Sequence, residues 1–234
     1  MRIVLVVPRL WNALDAVVRR LGSKWPGREP WEDVLSRGQC EPFGRADLES
    51  TILDEAGVAY DAAHDIPVAA LSLLGDGLEP QGGLWLRADP VSLRADRDQL
   101  VLVSWDLLDL NETEVEALAN ELTPLFDPLG WRLFTPVPQR WYLQIPEDIK
   151  IRTYTPRSSF GSSIMGRLPT GPDMALMRRV LTEVQMTLHM AAANRIRIEQ
   201  QKPPVNSVWF WGAGGDTIQS PPFAQHVWSD DSFL

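Results

Sequence analysis

One cysteine, Cys40, in 234 residues leaves no internal partner, so no disulfide framework staples this chain, and the usage fits a reducing compartment. Cys40 lies between Gln39 and Glu41 with no neighbouring histidine, which favours a buried or incidental thiol over a nucleophile. Histidine is nearly as scarce. His64, His189 and His226 show no His-x-His or His-Glu-x-x-His spacing, so no sequence-local metal site is expected. Gly-x-Ser-x-Gly elbows and Walker loops are missing as well. Positive charge is in deficit: 22 Lys and Arg against 31 Asp and Glu give a formal charge of -9. That balance argues against a sequence-independent grip on nucleic acid, which needs a basic surface to displace phosphate counterions. No apolar run is long enough to span a bilayer, and residues 3–7, followed by Pro8 and Arg9, are too short for a signal peptide. The expectation is a cytoplasmic protein without membrane attachment or cofactor.

What the chain does have is tryptophan, ten in all, with 44% hydrophobic and 23% charged residues, an ordinary globular composition. Most of the tryptophans are expected to anchor a core, and a few to line a groove or partner surface. The length supports one large domain or two small interleaved ones.

The sequence is organised around residues 170–215. Met177, Leu181, Val184 and Leu188 recur at helical spacing, which predicts one long helix over 172–201 with Thr170 as its cap. Pro203 and Pro204 end it. Asn206 then opens an aromatic strand through Val208, Trp209, Phe210 and Trp211, and 212–215 reads as a glycine loop. Upstream, residues 2–7 read as a two-sided strand, 10–21 as a helix, and 31–37 and 46–56 as further short helices. The apolar run 67–74 fits helix or strand. Short strands are expected at 84–86, 100–103, 131–134 and 141–145, the first two as antiparallel neighbours. Between them Asn111 and Glu114 form a capping pair ahead of the apolar face Val115, Leu118, Leu122 and Phe126. Residues 149–169 have no clear period and read as a long surface loop.

Three segments carry a resemblance: GLWLRADPVSL at 83–93, RWY at 140–142, and the stretch from Asn194 through KPPVNSVWFWGAGG at 202–215. They resemble the RpfE-type bacterial regulatory protein family, itself similar to the archaeal-type cofactor-independent phosphoglycerate mutases. The resemblance implies an α+β fold, an antiparallel or mixed sheet with packed helices, inserted into a truncated alkaline-phosphatase-like α/β layer. It places that layer at 1–75 and 203–234 and the inserted domain at 76–202, with strand 207–211 pairing with strand 2–7. The mutases open with a strand running into an Asp-Gly metal site, where this chain has Val7, Pro8 and Arg9. Their nucleophile and later Asp and His ligands have no recognisable counterpart here, and two-metal chemistry needs such groups converging on ions roughly 4 Å apart. The chain stops at Leu234, where longer relatives continue. The resemblance therefore implies a non-catalytic regulatory or protein-interaction relative with another protein as partner. A metal-dependent mutase or phosphotransferase is the alternative, and a small-anion or nucleotide binder a third reading.

Two groups of candidate residues follow. Asn206, Trp209, Trp211, Gly212, Gly214 and Gly215 form a candidate ligand or partner loop; its plain alternative is a tight turn with Asn206 as a turn or cap residue. Arg87, Asp89, Glu183, His189 and Asn194 form a candidate polar cluster. Its plain alternatives are an exposed ion pair of Arg87 and Asp89 near Arg94, a solvated helix edge at Glu183, and a helix-end hydrogen-bonding cluster of His189 with Asn194.

Overall fold

The computed structural model describes residues 33, 36–37, 48–58, 65–96, 99–103, 107–159 and 163–215. The chain divides into two compact units, 1–52 and 53–234. In the first, Asp33, Ser36 and Arg37 are helical, and Arg37 pairs with Asp33 one turn back at 2.7 Å, in keeping with the helix expected at 31–37. Helix α1 (Leu48–Glu55) runs across the boundary and is followed by Gly57 at φ 67, close to the expected stop. The strand expected at 2–7 and the helix at 10–21 lie outside the described residues, as do Cys40, His64 and His226.

The second unit is an antiparallel sheet with helices on both faces. It contains α2 (Val68–Gly75), β1 (Leu84–Val91), β2 (Leu93–Asp96), β3 (Gln99–Leu102), α3 (Glu112–Phe126), β4 (Arg132–Val137), β5 (Arg140–Ile145), α4 (Met174–Met190), α5 (Ala192–Glu199) and β6 (Ser207–Gly215). The main sheet has the order β4-β5-β1-β6, and β2 and β3 form a separate hairpin. The undecided run at 67–74 is thus a helix. The strands expected as neighbours at 84–86 and 100–103 do not pair: β1 lies between β5 and β6, and β3 pairs with β2. The aromatic strand is likewise paired with β1, in the sheet that the sequence assigns to the inserted domain.

Alternation along each strand sorts side chains to two cores. On one face Leu84, Leu86, Trp141, Leu143, Val208 and Phe210 meet the apolar stripes of α3 and α4. On the other, Trp85 and Tyr142 meet Ala69, Ala70 and Leu73 of α2, while Trp209 and Trp211 meet Val68. Burial on both faces leaves every residue of β1, and all but the last of β6, buried; β6 accordingly reads as a nearly continuous nonpolar run, whereas β1 carries Arg87 and Asp89 into the interior. Asn111 and Glu114 form the expected capping box on α3.

The predicted long helix is broken. Ala191, with ψ 133, separates α4 from α5, and Asn194 Nδ2 donates to the Leu188 carbonyl at 2.7 Å, satisfying an acceptor at the end of α4. On α4 the buried stripe is Met177, Val180, Val184 and Leu188, with Leu181 at its edge. The helix starts after Asp173; Thr170 is instead paired with Arg152 in an isolated β-bridge.

The expected glycine loop is the last part of β6. Gly212, at φ 66, sits in a bulge opposite the step from Trp85 to Arg87, and the strand resumes through Gly215. These glycines let α2 approach: a Cβ on Gly212 would lie 3.0 Å from Val68 Cβ, and one on Gly214 would overlap Pro67. Gly214→Ala is therefore expected to destabilise the unit by about 1–3 kcal/mol, whereas the same change at Gly215, which meets no neighbour within 4 Å, is expected to leave the urea midpoint nearly unchanged.

Candidate functional site

The polar residues singled out in β1 meet beneath α2. Arg87 is 0% exposed and Asp89 4%. Arg87 Nε donates to Asp89 Oδ1 at 2.9 Å, with Nη2 at 2.8 Å from the same oxygen, and Nη1 donates to Ser72 Oγ of α2 at 3.2 Å. The guanidinium lies 5.2 Å from the ring centroids of both Tyr142 and Trp211. Asp89 also accepts from Trp211 Nε1 at 2.7 Å and from the Trp141 backbone N–H at 3.3 Å. The pair expected to be exposed is thus a buried one, because β1 is the inner strand covered by α2. Arg94 lies apart on β2 and is exposed. Burial pushes the Asp89 carboxyl above its ordinary value, against the opposing pull of Arg87 and Trp211. Chemically this carboxylate neutralises Arg87 and organises indole and backbone donors.

The network reaches the surface through residues that sequence reading missed. Tyr142 donates to Asp76 Oδ2 at 2.5 Å, and Arg140 grips the same carboxylate, with Nε donating at 2.9 Å. Burial pulls Asp76 upward, but the bonds from Arg140 and Tyr142 outweigh it and hold the carboxyl below its usual range. Desolvation pushes the Tyr142 phenol up to about 12. Asp76 is 64 residues from Arg140. Only the Gly-Asp-Gly turn signal at 75–77 hinted at it, and a turn signal names no partner.

The remaining candidates are dispersed. Asn206 bridges β6 to β2: its Nδ2 donates to the Leu93 carbonyl at 2.8 Å, and its Oδ1 accepts from the Leu93 N–H at 2.7 Å. Asn194 is buried and holds the Val205 N–H and carbonyl besides Leu188. Glu183 and His189 are exposed on α4, and His189 is no part of the Asn194 cluster described by these bonds. Trp209 Nε1 donates to the Tyr154 carbonyl at 2.7 Å, and the Gly212 N–H to Thr153 Oγ1 at 3.2 Å. Gly214 is buried and Gly215 exposed. Arg197, which the sequence does not single out, is fully buried, donating to Glu114 Oε1 at 2.7 Å, to the Pro203 carbonyl at 2.9 Å and to the Leu108 carbonyl. Among the described residues no three His, Cys, Asp or Glu side chains converge as a metal site requires.

The chain is distantly homologous to cofactor-independent phosphoglycerate mutases. It is 25% identical over 219 residues to the 2,3-bisphosphoglycerate-independent phosphoglycerate mutase of Methanosarcina mazei, covering 86% of this chain and 52% of the relative. It is 24% identical over 223 residues to a probable enzyme of the same name from Geobacter sulfurreducens, covering 86% and 53%. The chain thus spans about half the length of the curated relatives it matches. A solved cofactor-independent phosphoglycerate mutase from Thermoplasma acidophilum aligns with a TM-score of 0.49 and 22% identity, over 70% of this chain and 46% of that one. No protein-family model matches the sequence.

Removing one member of the buried pair strands the other. Arg87→Met and Asp89→Leu are each expected to cost roughly 3–5 kcal/mol, and the double substitution much less than their sum, as read from urea unfolding. Tyr142 gives a pH signature. Its folded value lies above its ordinary 10.0, so its contribution is intact below pH 10 and is lost as pH rises toward about 12. Tyr142→Phe removes this alkaline decline from the stability profile.

Proposed function

We propose that this chain is a non-catalytic regulatory or protein-interaction relative of the cofactor-independent phosphoglycerate mutases, of the RpfE type. It acts in the cytoplasm, without a cofactor, on a protein partner. One observation carries the reading: the buried polar residues that looked functional in the sequence are committed to internal bonds. Arg87 ties β1 to α2, Asp89 ties Arg87 to β5 and β6, Asn206 ties β6 to β2, and Asn194 closes the break between α4 and α5. Meanwhile large apolar side chains stand exposed on the surface, among them Met165 at 65% and Met190 at 75%. A frame built this way supports recognition by its surface rather than chemistry in its interior. The reading includes a phosphatase-like layer at 1–75 and 203–234 around the domain at 76–202, although β6 shares the sheet of β1.

A metal-dependent phosphoglycerate mutase is the second reading, favoured by the names of the two relatives. Anion binding at 212–215 is not favoured, because Gly212 and Gly214 are taken up by the approach of α2 to β6. Elemental analysis of the purified chain, with a phosphoglycerate mutase assay in added manganese, separates the first two. The expected outcome is neither stoichiometric metal nor turnover. Bound metal accompanied by turnover overturns the non-catalytic reading.

A further inference from the structure

The charge of this chain is unevenly placed. Residues 150–179 contain six cations, Lys150, Arg152, Arg157, Arg167, Arg178 and Arg179, against the single carboxylate of Asp173, in a chain of formal charge -9. The fold gathers part of this segment into a ribbon. Arg152 and Thr170 exchange backbone hydrogen bonds, both 2.9 Å, so the limb at 150–154 lies antiparallel to the limb at 167–173. Lys150 N donates to Asp173 Oδ2 at 2.8 Å, which sets Lys150 beside the start of α4. Arg167 lies over the Tyr154 ring at 5.3 Å, linking the two limbs again. Lys150, Arg152, Arg178 and Arg179 are exposed and Arg167 is half-buried. Among the described residues Lys150, Arg167, Arg178 and Arg179 form no salt bridge. Next to the ribbon Leu93, Ile164, Leu168, Pro169 and Trp209 pack closely, leaving a hollow with room for about one water molecule and Arg167 in its wall.

We infer that this ribbon, with the start of α4, is a docking surface for an acidic, extended segment of a partner protein, whose carboxylates meet Lys150, Arg167, Arg178 and Arg179. The inference rests on the interaction reading above and names the chemistry of its partner. Charge complementarity selects an acidic ligand. The small extent of the ribbon selects a peptide over nucleic acid. A duplex carries one negative charge per about 1.7 Å of its axis, and beyond the ribbon it would meet the acidic remainder of this chain.

The test is fluorescence anisotropy of the full chain with a short fluorescein-labelled oligoglutamate peptide, compared with single-stranded oligothymidylate of equal charge. The expected result is saturable peptide binding that weakens as salt rises and falls roughly tenfold or more in the Arg178→Glu/Arg179→Glu variant. Lys150→Glu supplies a second charge reversal on a different element, and circular dichroism checks that both variants fold. The inference is overturned by no saturable binding to the folded chain, by binding indifferent to both reversals, or by tighter binding of oligothymidylate than of peptide. Failure of the two readings is distinguishable. A chain that turns over phosphoglycerate and binds the peptide loses only the non-catalytic reading, and a chain that does neither loses only this one.

Discussion

A guanidinium and a carboxylate in the middle strand of a doubly covered sheet set the terms for everything packed around them. Arg87 and Asp89 point from β1 toward α2, where water does not reach them. Removing two charges from water costs several kcal/mol per ion, and mutual attraction offsets this only when the remaining donors and acceptors are also satisfied. The neighbours have the required chemistry: an indole N–H from Trp211, a backbone N–H from Trp141, a hydroxyl from Ser72, and aromatic faces from Tyr142 and Trp211. They come from three elements, β6, β5 and α2. The pair therefore fixes the rotation of α2 and the alignment of three strands together, which undirected apolar contacts do less sharply.

The same physical solution recurs where the chain leaves regular structure. Helix ends and strand starts expose backbone groups that the core cannot leave unbonded. Asn194 supplies partners for them at the break after α4, Asn206 at the start of β2, and Arg197 at the carbonyls of Leu108 and Pro203. Glu114 serves two partners, capping α3 through the Asn111 N–H and neutralising Arg197 through its other oxygen. Two non-glycine residues in the left-handed region, Asp109 and Gln201, flank this junction, and the side chains of Asp109 and Lys202 meet at 3.4 Å. Several polar residues of this sequence are thus members of the frame and not of the surface. The chain is distantly homologous to the phosphoglycerate mutases over about half of their length.

The sequence by itself determined the local elements whose signals are local. The capping box at Asn111, the apolar stripe of α3, the strands at 132–137 and 140–145 and the aromatic strand at 207–211 all depend on residues a few positions apart. It also determined the chain's acidity and the uneven distribution of its basic residues. Only the tertiary structure decided which strands are neighbours, because β1 pairs with β6 across more than a hundred residues and no periodicity encodes that distance. It likewise decided that Arg87 and Asp89 are buried, that the glycines at 212 and 214 are spacers for α2 rather than a loop, and that the long helix breaks at Ala191. Each of those outcomes turns on what another part of the chain brings to the residue: a covering helix, a proline at van der Waals distance, or a buried amide competing for a helical carbonyl. Spacing along the chain records which face a side chain takes; the energy of burying it there is set by neighbours that only folding supplies.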